Sequence, residues 1–250
     1  MHKISTSVSE TEVANFSKVA GDWWNPEGVF KSLHGLNPLR VSYLREMACQ
    51  HFGLNSENQR PLKGLTMLDV GCGGGLLSEA VVQLGAKVVG VDASSEAIKI
   101  AKSHAKAGGV LVDYRVGNVE ELAAKGEQFD FITAFEIVEH VADVKLFVRA
   151  ISKLLKKDGL LLMATMNRTT KSFLLGVVMA EYVLGWVPKG AHDWDCFVKP
   201  SELARVLENF GLNVTNLTGV VFDPFEGKFV INPHKLDVNY MITAANGREN

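Results

Sequence analysis

Five residues near the middle of the chain, Glu136-Ile-Val-Glu139-His140, place two carboxylates and an imidazole in one short stretch. On a helical turn, positions i, i+3 and i+4 share a face, so this spacing predicts that Glu136, Glu139 and His140 converge. Such a set suits a hard divalent cation, Mg²⁺ foremost, although the imidazole would also accept Zn²⁺ or Mn²⁺. His140 could instead serve as a general base, since an ordinary imidazole titrates near pH ~6.5. A solvated acidic turn ahead of Asp143 is the bland reading of the same residues. The stretch follows an apolar run, Phe129-Asp-Phe-Ile-Thr-Ala134, that reads as a strand. In open α/β sheets, ligands sit beyond the carboxyl ends of the strands.

A second stretch fixes what kind of ligand to expect. Thr66 to Val70 reads as a buried strand interrupted by Asp69, a turn with Gly71, Gly73 and Gly75 follows, and Leu76 to Leu84 has helical apolar spacing. Strand, glycine turn and helix offer close backbone approach at a helix N-terminus. Asp92 ends the next apolar run, Val88-Val-Gly-Val, about twenty residues after the first glycine, where a carboxylate can accept from ribose hydroxyls. The dinucleotide fingerprint requires a glycine at the sixth position, which here is Leu76. Asp69 would repel a pyrophosphate but could meet an ammonium. Gly117-Asn118-Val-Glu120 closes the third strand, where an adenine contact is usual. Together these features favour a sulfonium nucleoside carrying an amino acid end, S-adenosylmethionine, over a nicotinamide or flavin dinucleotide.

The elements that must hold these residues alternate. Strands are predicted at 66–70, 87–92, 111–116, 129–134 and 160–165, and helices at 76–84, 94–106, 119–124 and 143–155. Ser94 and Asp143 are expected helix caps. That alternation predicts a Rossmann-like, doubly wound α/β sheet. A helix near 201–209 leads to strands at 213–221 and 238–244, expected as an antiparallel pair at the sheet edge. The fold expected is thus a seven-stranded, mostly parallel sheet with an antiparallel edge strand. Residues 1–60 read as an N-terminal helical cap and 61–250 as the main domain, with 168–199 as an apolar helical insert. Within the cap, helices are predicted near 12–19 and 41–52, with Pro38 close to the first turn of the second.

Bulk properties remove other classes. A net charge of −2 with intermixed signs gives no general attraction to nucleic acid. Three widely spaced cysteines, Cys49, Cys72 and Cys196, contain no CxxC pair, so a disulfide framework or zinc site is not expected. The first ten residues lack the apolar core of a secretory signal.

The sequence also resembles a known family. Trp23-Trp-Asn-Pro-Glu-Gly, Leu33-His-Gly-Leu-Asn-Pro-Leu-Arg40, Glu136-Ile-Val-Glu-His140, Met166-Asn-Arg-Thr169, the run from Ala180 to Trp194 and Asp237-Val-Asn-Tyr240 look like the ubiquinone-biosynthesis O-methyltransferases, within the class I S-adenosylmethionine-dependent methyltransferases. The resemblance implies O-methylation of polyprenylated catechol or hydroquinone intermediates, at the 2-polyprenyl-6-hydroxyphenol and 3-demethylubiquinol steps. It implies that Arg40 pairs with the cofactor carboxylate, that Gly71 and Asp92 are further contacts, and that Ile137 lies along the cofactor. It raises metal or base duty for Glu136, Glu139 and His140 above the acidic-turn reading. It further implies work at a membrane, within a ubiquinone-biosynthesis complex: cytoplasmic and membrane-associated in a bacterium, or at the matrix face of the inner mitochondrial membrane in a eukaryote. Residues 173–187 are apolar but too short to span a bilayer. Flanked by Arg168, Lys171 and Lys189, they suit peripheral membrane contact through 168–189; a buried helix or an oligomer interface is the competing reading. His192, Asp193 and Trp194 are candidates for a substrate-side wall. Two functional alternatives stand beside the leading one: methylation of another small catechol or phenol, and a scaffold subunit that binds S-adenosylmethionine without turnover.

Overall fold

The computed structural model describes residues 5–174 and 194–247. Its centre is one eight-stranded sheet in the order β3-β2-β1-β4-β5-β8-β6-β7. Strands β1 (Thr66–Val70), β2 (Lys87–Asp92), β3 (Asp113–Val116), β4 (Phe129–Phe135) and β5 (Leu155–Met166) form the parallel part. Helices α3 (Leu76–Gln83), α4 (Ser95–Gly108), α5 (Val119–Ala124) and α6 (Val144–Leu154) connect them, preceded by α1 (Glu10–Val19) and α2 (Lys31–Phe52). After a short α7 (Thr170–Ser172), α8 (Pro200–Asn209) leads into β6 (Leu212–Asp223), β7 (Lys228–Asn232) and β8 (Asn239–Asn246).

The period-two alternation of the strands explains the two-faced core. Met67, Phe131, Leu160 and Leu162 point to the face covered by α2 and α3, where Tyr43, Leu44, Ala48 and Val81 are buried. Their neighbours Leu68, Ile132, Leu161 and Met163 point to the other face, against Phe147, Ile151, Leu154 and Leu203. A parallel sheet covered on both sides needs such unbroken apolar strands. Ser94 and Asp143 cap α4 and α6 as expected, accepting from the Ala97 and Leu146 amides.

Three features differ from the sequence reading. The sheet has eight strands rather than seven, because the Pro- and Phe-rich connection after β6 turns at Asp223 and Gly227 (φ 64°) and returns as β7. Asp223 Oδ1 secures that turn by accepting from the Phe225 and Glu226 amides. The expected antiparallel pair, β6 and β8, does form, but β8 is threaded between β5 and β6, and the edge belongs to β7. Second, α2 starts at Lys31, so Pro38 lies inside it rather than in its first turn. Proline removes one backbone donor there, but tertiary bonds hold the preceding turns: His34 Nε2 to the Trp23 carbonyl and Asn37 Nδ2 to the Leu76 carbonyl. Third, β5 begins five residues early, with a register shift opposite Phe129 and Phe131 that Asp158 accommodates at φ 56°.

Candidate active site

The glycine turn after β1 is built for close packing. Gly71, Gly73 and Gly75 have φ of 68°, 53° and 92°, a region costly for other residues. A Cβ at these positions would collide with Ile137, Trp23 and the Tyr114 hydroxyl respectively. The turn's amides are largely committed within the protein. Gly71 and Cys72 N–H groups donate to the Val91 carbonyl, Gly75 to Cys72, and Gly73 to Asp92 Oδ2. The open anion cradle expected of bare backbone N–H groups is therefore not what the turn presents, in keeping with a ligand that lacks phosphate.

Acidic groups frame this turn. Asp92 accepts from Gly73 and Ser94 amides (2.9 and 2.8 Å), and burial raises its pKa. Asp69 is buried, with Oδ1 on the Thr133 hydroxyl and Oδ2 on the Ser78 hydroxyl. Burial pushes the Asp69 carboxyl up to about 6, against the lowering effect of those two hydroxyls. Burial thus disfavours the charged form of Asp69, and a cation beside it would lower its pKa.

Both carboxylates line a cavity of about 960 Å³ that also touches Arg40, Gly71, Asn118 and Ile137. That volume is near the top of the roughly 300–1,000 Å³ range for small-molecule sites. Its far end runs between the start of α2 and the β6–β7 hairpin, lined by Leu33, Leu36, Val220, Phe222 and Phe229. Apolar side chains of α2 and the β6–β7 hairpin thus share one cavity with the two carboxylates.

Glu136 and His140 also line this cavity, whereas Glu139 lines a smaller one beside Ser9, Glu12 and His140, and the three do not share one helical turn. Glu136 has φ 52°, Ile137 is non-helical, and only Val138–His140 forms a 3₁₀ turn. The i, i+3, i+4 convergence expected of these residues therefore needs correction. Glu136 and Glu139 remain adjacent, joined by a side-chain hydrogen bond, while His140 turns to Glu12, Nδ1 to Oε2 at 2.7 Å. Glu136 Oε1 accepts from Arg40 (2.8 Å) and from Asn239 Nδ2 (3.1 Å). Glu139 is buried and accepts from the Thr165 hydroxyl; burial, then the Glu136 charge, pushes its carboxyl well above the usual range. Among the described residues, no group of three or more His, Cys, Asp and Glu side chains is arranged to hold a metal. A non-glycine residue in the left-handed region, as Glu136 is, marks a site where surrounding contacts override backbone preference.

Residues matched by a family model described as a methyltransferase domain run from 42 to 217. A ubiquinone biosynthesis O-methyltransferase of Methylobacterium sp. (strain 4-46) is 48% identical over 238 residues, covering 95% of both chains. The chain belongs to that family. Another member, from Bartonella bacilliformis, is 47% identical over 97% of each chain. Members of the family are methyltransferases, and S-adenosylmethionine is the cofactor. The fold is shared with more distant solved structures. The S-adenosylmethionine-bound magnesium protoporphyrin IX methyltransferase of Synechocystis PCC 6803 aligns at TM-score 0.63 and 15% identity, covering 97% of this chain and all of that one. A possible histamine N-methyltransferase from Thermotoga maritima aligns at 0.60 and 18% identity, over 94% of this chain and 99% of that one.

For this family member, every expected cofactor residue except Gly73 and Gly75 lines the cavity, and those two shape its turn from behind. Arg40 is buried and engaged with Glu136, its guanidinium 5.6 Å from the Phe135 ring centroid. Asn118 caps α5 by accepting from the Glu121 amide. Sequence reasoning missed Glu12 and Asn239, which join the site from 128 and 103 residues away from their partners. It also missed Trp23, which lies on the glycine turn and stacks on Phe30 at 3.9 Å. Among the wall candidates, Trp194 packs with Met166 and Phe197 and donates to the Thr169 carbonyl. His192 and Asp193 lie outside the described residues, as does the apolar run beyond Leu174.

Proposed function

We propose that the protein transfers the methyl group of S-adenosylmethionine to a phenolic oxygen of a polyprenylated catechol or hydroquinone in ubiquinone biosynthesis, at both the 2-polyprenyl-6-hydroxyphenol and 3-demethylubiquinol steps. The observation that carries this reading is one cavity lined by Arg40 and Asp92, by Phe222 and Phe229, and by Glu136 and His140. When bound, the cofactor supplies an electrophilic sulfonium methyl. Asp92 would take the ribose hydroxyls, Asp69 the ammonium and Arg40 the carboxylate, in the cavity that His140 also lines.

A phenol ionises near pH ~10, so a neutral-pH reaction must recover roughly 4 kcal/mol to reach phenolate. His140 supplies this by taking the proton as the oxygen attacks. Its Nδ1 is held by Glu12, which directs proton uptake to Nε2 and stabilises the imidazolium. The O–CH₃ bond forms as the S–CH₃ bond breaks, S-adenosylhomocysteine leaves, and the proton passes from His140 to solvent. Alignment of oxygen and methyl in a closed cavity supplies a further share of the acceleration.

A second reading, a divalent cation with Mg²⁺ foremost, is favoured by the Glu136–Glu139 pair: two adjacent acidic groups, one buried, need a proton or a cation between them. Glu136 and Glu139 would hold the ion, with His140 engaged by Glu12 rather than serving as a ligand, and a bound cation would supply positive charge that favours phenolate. Methyl transfer lost on EDTA treatment and restored by Mg²⁺ selects the cation; indifference to EDTA selects His140 as base.

Peripheral membrane contact through 168–189 belongs to the same proposal. It is supported by Phe173 and Leu174, both exposed beside Lys171. No described helix is long and apolar enough to cross a membrane. Labelled-methyl transfer to prenylated and soluble catechols, with flotation on anionic liposomes, tests both parts. Equal use of a soluble catechol, or no flotation, sinks the corresponding one.

A further inference from the structure

One polar side chain interrupts an otherwise apolar wall of the cavity. Beyond β4 the sheet runs β5-β8-β6-β7. From these four strands the cavity is lined by Met166, Val220, Val221, Phe222, Phe229 and Asn239. Asn239 is the polar one. It opens β8, in register with Met166 on one side and Val220 on the other. Strand alternation puts its side chain on the face of Met241, toward α2, which also carries Arg40. An amide in an apolar wall is costly unless its groups are paired.

The orientation of this amide is fixed. Its Nδ2 donates to Glu136 Oε1 at 3.1 Å, the same oxygen that takes Arg40 at 2.8 Å. An oxygen already accepting from a guanidinium is an acceptor, so the amide nitrogen faces it and Oδ1 faces away. Among the described residues, no group donates to Oδ1. The expected cofactor contacts lie on the other half of the sheet: Gly71 follows β1, Asp92 ends β2 and Asn118 follows β3. A group beyond β5 therefore meets the methyl acceptor rather than the nucleoside. Both acceptors of the proposed reaction carry a free hydroxyl ortho to the oxygen that is methylated. In the first it is the second catechol hydroxyl; in the other it is a ring hydroxyl of the hydroquinone.

We propose that Asn239 Oδ1 accepts from the hydroxyl ortho to the reacting phenolic oxygen, so that Asn239 selects ortho-dihydroxy rings over monophenols. This rests on the O-methyltransferase reading of the cavity. The ring is then held by its tail among Phe222 and Phe229 and by its hydroxyl on Asn239, which sets the oxygen left to react. A monophenol leaves Oδ1 without a donor in a desolvated wall, the kind of loss by which polar sites discriminate.

The test measures methyl transfer from S-adenosylmethionine to a prenylated catechol and to the same compound lacking its second hydroxyl, at saturating Mg²⁺. The wild type, Asn239→Leu and Asn239→Ala are compared. Wild-type kcat/KM should favour the catechol by at least about tenfold. In the variants, kcat/KM for the catechol falls about tenfold or more and for the phenol less than about threefold, so the preference collapses. The phenol reports any disturbance passed through Glu136 and Arg40, because it depends on both without the ortho contact. Asn239→Leu keeps the size of the side chain and Asn239→Ala removes it, which keeps the test decisive if one variant does not fold. Equal wild-type use of the two compounds, a preference retained in either folded variant, or a parallel fall for both compounds overturns the proposal. No wild-type transfer to either compound overturns instead the function beneath it.

Discussion

Replacing Asp69 with asparagine is expected to stabilise the ligand-free protein and weaken its hold on the cofactor. The Asp69 carboxyl is raised from 3.8 to about 6, chiefly by burial. Folding therefore favours its protonated form. Its contribution is most favourable below pH ~4, is lost as pH rises through about 6, and is flat above that. At about 1.4 kcal/mol per pH unit, the ionised group costs up to about 3 kcal/mol at pH 8. The amide removes that cost but weakens the Ser78 and Thr133 hydrogen bonds by roughly 0.5–1 kcal/mol each. A net gain of about 1–2 kcal/mol remains, or roughly 2–8 °C in melting temperature for a chain of this size. Thermal denaturation of both proteins at pH 4.5 and pH 8 is the assay, with the gain confined to the higher pH. Calorimetry with S-adenosylhomocysteine at pH 8 should show about tenfold or greater weakening from loss of a buried ion pair with the ammonium. A gain independent of pH, a variant less stable at pH 8, or unchanged cofactor affinity would refute the reasoning.

Three further substitutions probe other parts of the cavity. Glu12→Gln keeps a hydrogen bond to His140 but removes the charge that stabilises imidazolium, so kcat should drop about tenfold with S-adenosylmethionine KM unchanged; an unaltered kcat would remove Glu12 from the mechanism. Gly73→Ala introduces a side chain at φ 53° and into Trp23, which predicts a loss of at least about 1 kcal/mol in stability and weaker S-adenosylhomocysteine binding, measured by denaturation and calorimetry. Phe229→Ser opens the apolar end next to Leu36 and Val220, so the KM for a prenylated catechol should rise several-fold while a soluble catechol is unaffected; parallel changes for both would contradict an apolar-tail role.

Periodicity made the parallel half of the sheet legible because its central strands β1, β4 and β5 are buried on both faces and the connecting α4, α5 and α6 carry readable caps. The carboxyl-terminal half was less so. In β7, Phe229, Val230 and Ile231 are good strand residues, but the short turn before them, with Pro224 and Phe225, obscures them in a purely local reading. Pro38 suggested a helix start because local chemistry disfavours an interior proline, and the bonds from His34 and Asn37 that override it join distant segments. The site shows the same division. Asp69, Asp92 and the three glycines are close in sequence to the turn they build, so spacing alone brings them together. Glu136, Glu139 and His140 were identified as residues, yet their mutual geometry depends on a left-handed Glu136 and on partners in α1, α2 and β8. Glu120 falls in the stretch that local reading marked after the third strand, but its bond to Ser7, 113 residues away, was not legible.

The most direct test of methyl transfer in this cavity uses S-adenosylmethionine with a deuterated methyl group and a prenylated 3-demethylubiquinol analogue. Mass spectrometry of the product should find the label on the phenolic oxygen, in equal amount to the S-adenosylhomocysteine released. S-adenosylhomocysteine binding by calorimetry with no label in any prenylated or soluble catechol, with or without Mg²⁺, would contradict the account and leave a cofactor-binding protein without turnover.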